Sequence, residues 1–217
     1  MNMTTLRRHP LRAFTLIELL VVISIIALLA GLVISLLPGI NEKKVRARVR
    51  TELEKLELAI NAYKAKVGFY PPDNPLNSGQ SPLYYELTGT QRIDRNDGSP
   101  PTFRDRDMRP FPFPMSDITT NLIGTYFNTS GFINSEGEMN ERKEYCPNLK
   151  SNSNYRAIPG TASPGIQLLL VPYQGTNGDF NPWHYNSSNP QHHPEGFDLW
   201  AVVVVGDKTI TIGNWKD

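Results

Sequence analysis

Five side chains near the C-terminal end have the types that metal chemistry uses. His184, His192, His193, Glu195 and Asp198 could offer imidazole and carboxylate donors to a zinc ion. Their arrangement argues against it. His184 and the His192-His193 pair are not at helical i, i+4 spacing, and Pro190 and Pro194 make the segment a loop. No nucleophile, oxyanion loop or phosphate cradle accompanies them. Arg104, Asp105, Arg106 and Asp107 alternate in sign, which reads as a solvated, self-paired surface before it reads as a phosphate or metal site. Cys146 is the only cysteine, in EYCPN, with no patterned His beside it. It can form no intramolecular disulfide, which leaves the redox compartment open.

Glu18 is a different kind of candidate, because it is the one charge within residues 14–37, FTLIELLVVISIIALLAGLVISLL. As a helix rising ~1.5 Å per residue, this run reaches roughly 36 Å, enough to cross a ~30 Å hydrocarbon core. A secretory signal peptide has a shorter apolar core followed by small residues at its cleavage site, and neither is seen here. Arg7, Arg8 and Arg12 precede the run, which places the N-terminus in the cytoplasm and the rest outside. Lys43, Lys44, Arg46, Arg48 and Arg50 pull the other way, but a large polar domain translocates largely regardless of nearby charge.

A carboxylate in such a helix costs about 2.5–3.5 kcal/mol on insertion scales and is a functional candidate by default. One reading has Glu18 snorkel to the interface. The other gives it a cation, the amine that cleavage between Ala13 and Phe14 would create. A helix holds that amine about a turn from its own Glu18, whereas a neighbouring copy in a bundle could meet it.

Ala13-Phe14-Thr15-Leu16-Ile17-Glu18-Leu19-Leu20, preceded by Arg7, Arg8 and Arg12, closely resembles the class III signal of type IV pilins and type II secretion pseudopilins. The resemblance implies cleavage after Ala13 by a prepilin peptidase and N-methylation of Phe14. It also implies that Glu18 guides the docking of subunits. The family usually has Gly where this chain has Ala13; a small residue is kept, and processing is expected.

Beyond Pro38-Gly39, Val45, Val49, Leu53, Leu56, Ile60, Tyr63 and Val67 recur every three or four residues, the stripe of an amphipathic helix over 38–68. Gly68 stops it, with Pro71-Pro72 just beyond. Pro38 should kink the helix where it joins the membrane run. Residues 69–165 are rich in proline and charge, with FPFP at 111–114. They read as an extended surface loop with short helical turns, for example around Pro82–Leu87, and without central strands. Strand signals gather at the end, over Ile166–Tyr173, Trp183–Asn186, Phe197–Val205 and Thr209–Trp215. Gly206-Asp207-Lys208 is a hairpin turn. The unbroken run Ala201–Val205 predicts a strand buried on both faces, with the long helix on one. The expected fold is α+β, with residues 166–217 forming a small antiparallel sheet against the helix.

Gly68-Phe69-Tyr70-Pro71, Asn181-Pro182-Trp183, Gly196-Phe197-Asp198-Leu199-Trp200 and Ile212-Gly213-Asn214-Trp215 sharpen the resemblance toward the major pseudopilin of type II secretion, and with it a pilin-like fold. Residues 75–165 have no counterpart there and read as an insertion. That family typically carries a Gly- and Asp-rich calcium loop before its final Ile-Gly-Asn-Trp. Here Ala201–Thr211 holds Asp207 as its only carboxylate, and calcium prefers six to eight oxygen ligands. No calcium or other cofactor is therefore expected.

The resemblance implies a structural, non-enzymatic subunit that assembles with itself and with minor pseudopilins into a periplasmic filament driving protein export. A prepilin peptidase, an inner-membrane assembly platform with its ATPase, and inner-membrane lipid would be its other partners. The implied location is the bacterial inner membrane, single-pass, with the C-terminal domain in the periplasm. A pilin for adhesion, motility or DNA uptake is the alternative, and a membrane-anchored metal enzyme the weaker third. Net charge of +1 excludes nucleic acid as a partner.

Overall fold

The computed structural model describes residues 15–36, 40–94, 96–104, 118–136, 143–160 and 165–215, the first helix as backbone only from residue 31. The expected leader 1–13, Phe14, the Pro38 kink and Asp105–Asp107 lie outside the described residues. The chain divides into two compact units, Met1–Lys43 and Lys44–Asp217.

In the first unit, helix α1 spans Leu16–Leu36. Its described side chains are apolar on all sides apart from Glu18 and Ser24, and all of them are exposed. A helix without a polar face has no stripe to bury and needs an apolar surrounding. Among the described residues no helix is long and apolar enough to cross a membrane.

In the second unit, α2 (Ile40–Val67) buries Val45, Val49, Leu53, Leu56, Ala59, Ile60 and Tyr63 along one face. The expected stripe holds, with Val67 half-buried at its end. Gly68 then turns the chain at φ 98°, a value that residues with a Cβ rarely adopt. The following Tyr70 packs edge-on to Phe197, with the Lys64 ammonium 4.0 Å from the centre of its ring. Pro71 accepts from the Tyr185 hydroxyl at 2.9 Å, and Asp73 accepts from the Ser187 and Ser188 amides. The Gly-Phe-Tyr-Pro segment thus fastens the end of α2 to the C-terminal sheet.

The middle of the chain departs from expectation. It contains helix α3 (Leu83–Thr88), strands β1 (Thr90–Ile93), β2 (Thr102–Arg104) and β3 (Ile118–Thr119), helix α4 (Thr120–Phe127) and strand β4 (Ser135–Glu136). The four strands form one sheet in the order β3-β2-β1-β4, antiparallel except for the parallel pair β1 and β4. The helical turn expected near Pro82–Leu87 is α3, and all of its residues are buried. Leu83, Tyr84, Tyr85, Leu87, Phe103, Ile123, Phe127 and Phe132 join the α2 stripe in one core. The segment is not a surface loop. Among the described residues, aromatic and aliphatic side chains spaced along the segment reach inward.

Strand β5 (Tyr155–Ala157) pairs with β6 (Gln167–Leu169) as a separate two-stranded ribbon, so the first expected C-terminal strand belongs elsewhere. The last sheet is three-stranded: β7 (His184–Asn186), β8 (Asp198–Val205) and β9 (Lys208–Gly213). Val205 pairs with Lys208 around a two-residue turn, with Gly206 at φ 60°. Along β8, Leu199, Ala201 and Val203 are fully buried while Trp200, Val202 and Val204 are only half covered. The run of valines is therefore one-sided: it alternates toward the core instead of being buried on both faces.

Candidate functional site

At the start of α1, Thr15 and Glu18 form a closed pair. The Glu18 carboxylate accepts from the Thr15 amide at 2.9 Å and from its hydroxyl at 2.8 Å, and the Glu18 amide donates back to Thr15 Oγ1 at 3.3 Å. This reciprocal arrangement satisfies two of the amides that every helix leaves unpaired at its N-terminus. The T-x-x-E spacing that produces it is present in the sequence, but neither sequence reading of Glu18, snorkelling to the interface or meeting a cation, includes this cap. The predicted cleavage point, Ala13 and Phe14, lies just outside the described residues.

In the second unit the residues weighed as metal donors divide: His184 stands apart, while His192 and His193 lie beside Asp198, their Nδ1 atoms 3.2 and 3.8 Å from its carboxylate. The His184 ring stacks on Trp200 at 5.1 Å and 12°, and its Nδ1 is 3.0 Å from the Ser78 hydroxyl. Burial holds its pKa below the ordinary histidine value, which favours the neutral ring. His192 stacks on Trp215 at 3.7 Å and 3°. The two tryptophans lie side by side at 6.0 Å, so these two histidines occupy opposite ends of one aromatic row. Among the described residues no group of three or more His, Cys, Asp or Glu could hold a metal.

Asp198 has a structural task instead. Its nearly enclosed carboxylate accepts from the amides of Gln191 at 2.6 Å, His192 at 3.0 Å and His193 at 3.0 Å, with His192 Nδ1 at 3.2 Å. Burial pushes its pKa up, but the amide donors outweigh that and hold it below the usual aspartate value. A group with a lowered folded-state pKa contributes stability above its unfolded value and loses it as pH falls through the folded one. Asp198→Ala should therefore cost about 2–3 kcal/mol at neutral pH, since three amides lose their acceptor. In urea unfolding, the gap to the parent should shrink on acidification below the ordinary aspartate value.

The C-terminal motif residues knit the same sheet. Asn214 accepts from the Leu199 amide at 3.0 Å and donates to the Phe197 carbonyl at 2.9 Å, extending β9 along β8. A Cβ at Gly213 would lie 2.6 Å from the Trp215 indole, so only glycine lets that ring fold back. Asn181 donates to the Tyr173 and Val202 carbonyls, and the Trp183 ring N–H donates to Leu170.

Sequence reasoning missed Glu86. Its side chain is fully buried in α3, accepts from the Tyr63 hydroxyl at 2.9 Å and from the Ile133 and Asn134 amides at 2.8 and 2.9 Å. Burial pushes its pKa above the ordinary value against those donors. Nothing local marked it, because its partners are 23 to 48 positions away in sequence.

The opening helix and its Thr15–Glu18 pair define the class of this end of the chain: residues 11–34 match the prokaryotic N-terminal methylation motif. The more particular likeness is to type II secretion system core protein G. The chain is 41% identical over 66 residues to that protein from Klebsiella michiganensis, covering 30% of this chain and 46% of the relative. The Klebsiella pneumoniae protein is 45% identical over 60 residues, covering 28% and 43%, and the Escherichia coli one 41% over 63, covering 29% and 43%. The matched part is N-terminal. The chain spans less than half the length of these relatives. No solved structure matches it.

Proposed function

We propose that this chain is a structural, non-enzymatic subunit of a type II secretion pseudopilus. In this reading a prepilin peptidase cuts after Ala13 and methylates Phe14. The mature subunit is held in the inner membrane by residues 14–37, with its N-terminus cytoplasmic and residues 44–217 periplasmic. Copies are then drawn by an inner-membrane platform and its ATPase into a filament capped by minor pseudopilins, which drives export. The observation that carries this reading is Glu18, the lone charge at the head of an exposed, all-round apolar helix, together with the likeness to the core G proteins. That helix has nothing to bury against in its own unit, and identical neighbours or lipid would supply the surface.

The subunit needs no calcium in this reading. Asp198, the carboxylate at the start of β8, already takes three amide donors. Co-expression with a prepilin peptidase and a secretion assembly platform provides the test. Mass spectrometry should find a mature N-terminus at N-methylated Phe14 in subunits recovered from sheared filaments. An intact leader, a cut elsewhere, or the absence of filaments would overturn the proposal.

A further inference from the structure

The basic cluster Lys43, Lys44, Arg46, Arg48 and Arg50 was set aside when the topology was argued, and neither the core nor the docking of Glu18 uses it. Between residues 40 and 50 its only anionic companion is Glu42. The whole chain carries a net charge of just +1, so this concentration is local. Lys43, Lys44, Arg48 and Arg50 are exposed and Arg46 is half-buried, while Val45 and Val49 between them are buried. At ~100° per residue the five cations fan over roughly 200° of α2, centred opposite the buried valines. They therefore surround the helix on every side that the domain does not cover.

Helix stability does not account for them. Lys43 and Lys44 lie at the first turn of α2, where the dipole disfavours cations, and only Arg48 and Arg50 have a carboxylate one turn on, at Glu52 and Glu54. What lies next to them does account for them. The apolar helix α1 ends at Leu36 and α2 begins at Ile40, so four residue steps, at most about 14 Å when extended, separate the two ends. On the membrane-anchored reading the start of α2 is within reach of the phosphate groups, where clustered Lys and Arg attract anionic lipid.

We propose that residues 43–50 form a basic collar that binds the headgroups of anionic phospholipids in the leaflet facing the C-terminal domain. The collar rests on the membrane-anchored reading of residues 14–37. It holds the waiting subunit at a fixed depth and tilt against the bilayer, and those contacts must be given up when the subunit is extracted. The partner is a lipid surface bearing phosphodiester charge. The contact is electrostatic, so it is sensitive to salt on the scale of a ~10 Å Debye length at 0.1 M.

The full chain is reconstituted into vesicles of phosphatidylcholine alone and of phosphatidylcholine with phosphatidylglycerol at about seven to three. A membrane-impermeant, amine-reactive reagent then labels lysines, with Lys43 and Lys44 read against the exposed Lys150 of the same molecule. The collar predicts that labelling of Lys43 and Lys44 relative to Lys150 falls on the order of tenfold in the anionic vesicles. It also predicts recovery at high salt and a much smaller fall in a variant carrying Arg46→Gln, Arg48→Gln and Arg50→Gln. Equal ratios in the two vesicles, with the chain still floating with both, would overturn the collar and leave the anchor standing. A chain that floats with neither would overturn the anchored reading and the collar with it.

Discussion

Exchanging Glu18 for Ala is expected to give a chain that is cut after Ala13 and methylated, yet absent from filaments. A carboxylate at this position in an apolar helix is costly, and its local use is modest. The pair it forms with Thr15 is an exposed N-terminal cap. That local use yields a second variant which separates the two roles. Glutamine can fill the third helical position of a capping box, so Glu18→Gln keeps the hydrogen bonds at the head of α1 and removes only the charge. If the charge meets the amine of a neighbouring Phe14, the Gln variant fails to assemble as completely as the Ala variant. Filaments from Glu18→Gln at parental yield, alongside none from Glu18→Ala, would reduce Glu18 to a cap. Parental yield from both would remove it from assembly altogether.

The largest loss of stability is expected from Glu86→Ala. One change strips the acceptor from the Tyr63 hydroxyl and from the Ile133 and Asn134 amides, all converging on a fully buried carboxylate. Orphaned buried donors cost about 1–3 kcal/mol each, and the cavity adds to that, so a total of about 4–5 kcal/mol is reasonable. Against a typical domain stability of about 5–15 kcal/mol, the variant should unfold readily in denaturant and be cleared by proteases. The pH dependence has a definite sign. Burial raises the folded-state pKa of Glu86 above its unfolded value, so the native protein holds that proton more tightly. Its contribution is fully present below the ordinary glutamate value and declines as pH rises through the folded one. Comparing unfolding of the parent with Glu86→Gln across that range should show the parent's advantage narrowing with rising pH. An advantage that widened would reverse the assignment.

The sequence spoke clearly wherever neighbours along the chain are also neighbours in space. The stripe from Val45 to Tyr63 shows in periodicity because a helix places i, i+3 and i+4 on one face. The β8–β9 hairpin shows because its turn is local. Legibility failed where partners are remote. The Glu86 network joins α2, α3 and the residues after α4, and no short window holds Glu86 together with any of its partners. The histidines looked like ligands because imidazole density is visible in sequence, whereas the stacking of His184 on Trp200 and of His192 on Trp215 is not. Ala201–Val205 misled for a different reason. Five small or β-branched apolar residues in a row carry no alternation, and only the pairing of β8 decides which of them face the core.

The Pro-rich middle had looked like an ornament attached to a shorter ancestral plan. Yet Tyr63 on α2 hydrogen-bonds into it, the Tyr85 hydroxyl accepts from the Gln167 amide, and the Tyr145 and Cys146 amides both donate to the Leu87 carbonyl. Such a segment is not modular. A chain trimmed to the length of its relatives would leave a hydrophobic flank of α2 bare, and would have to change that flank at the same time. The middle segment and the α2 face share one core, and a chimera exchanging one without the other is expected to misfold.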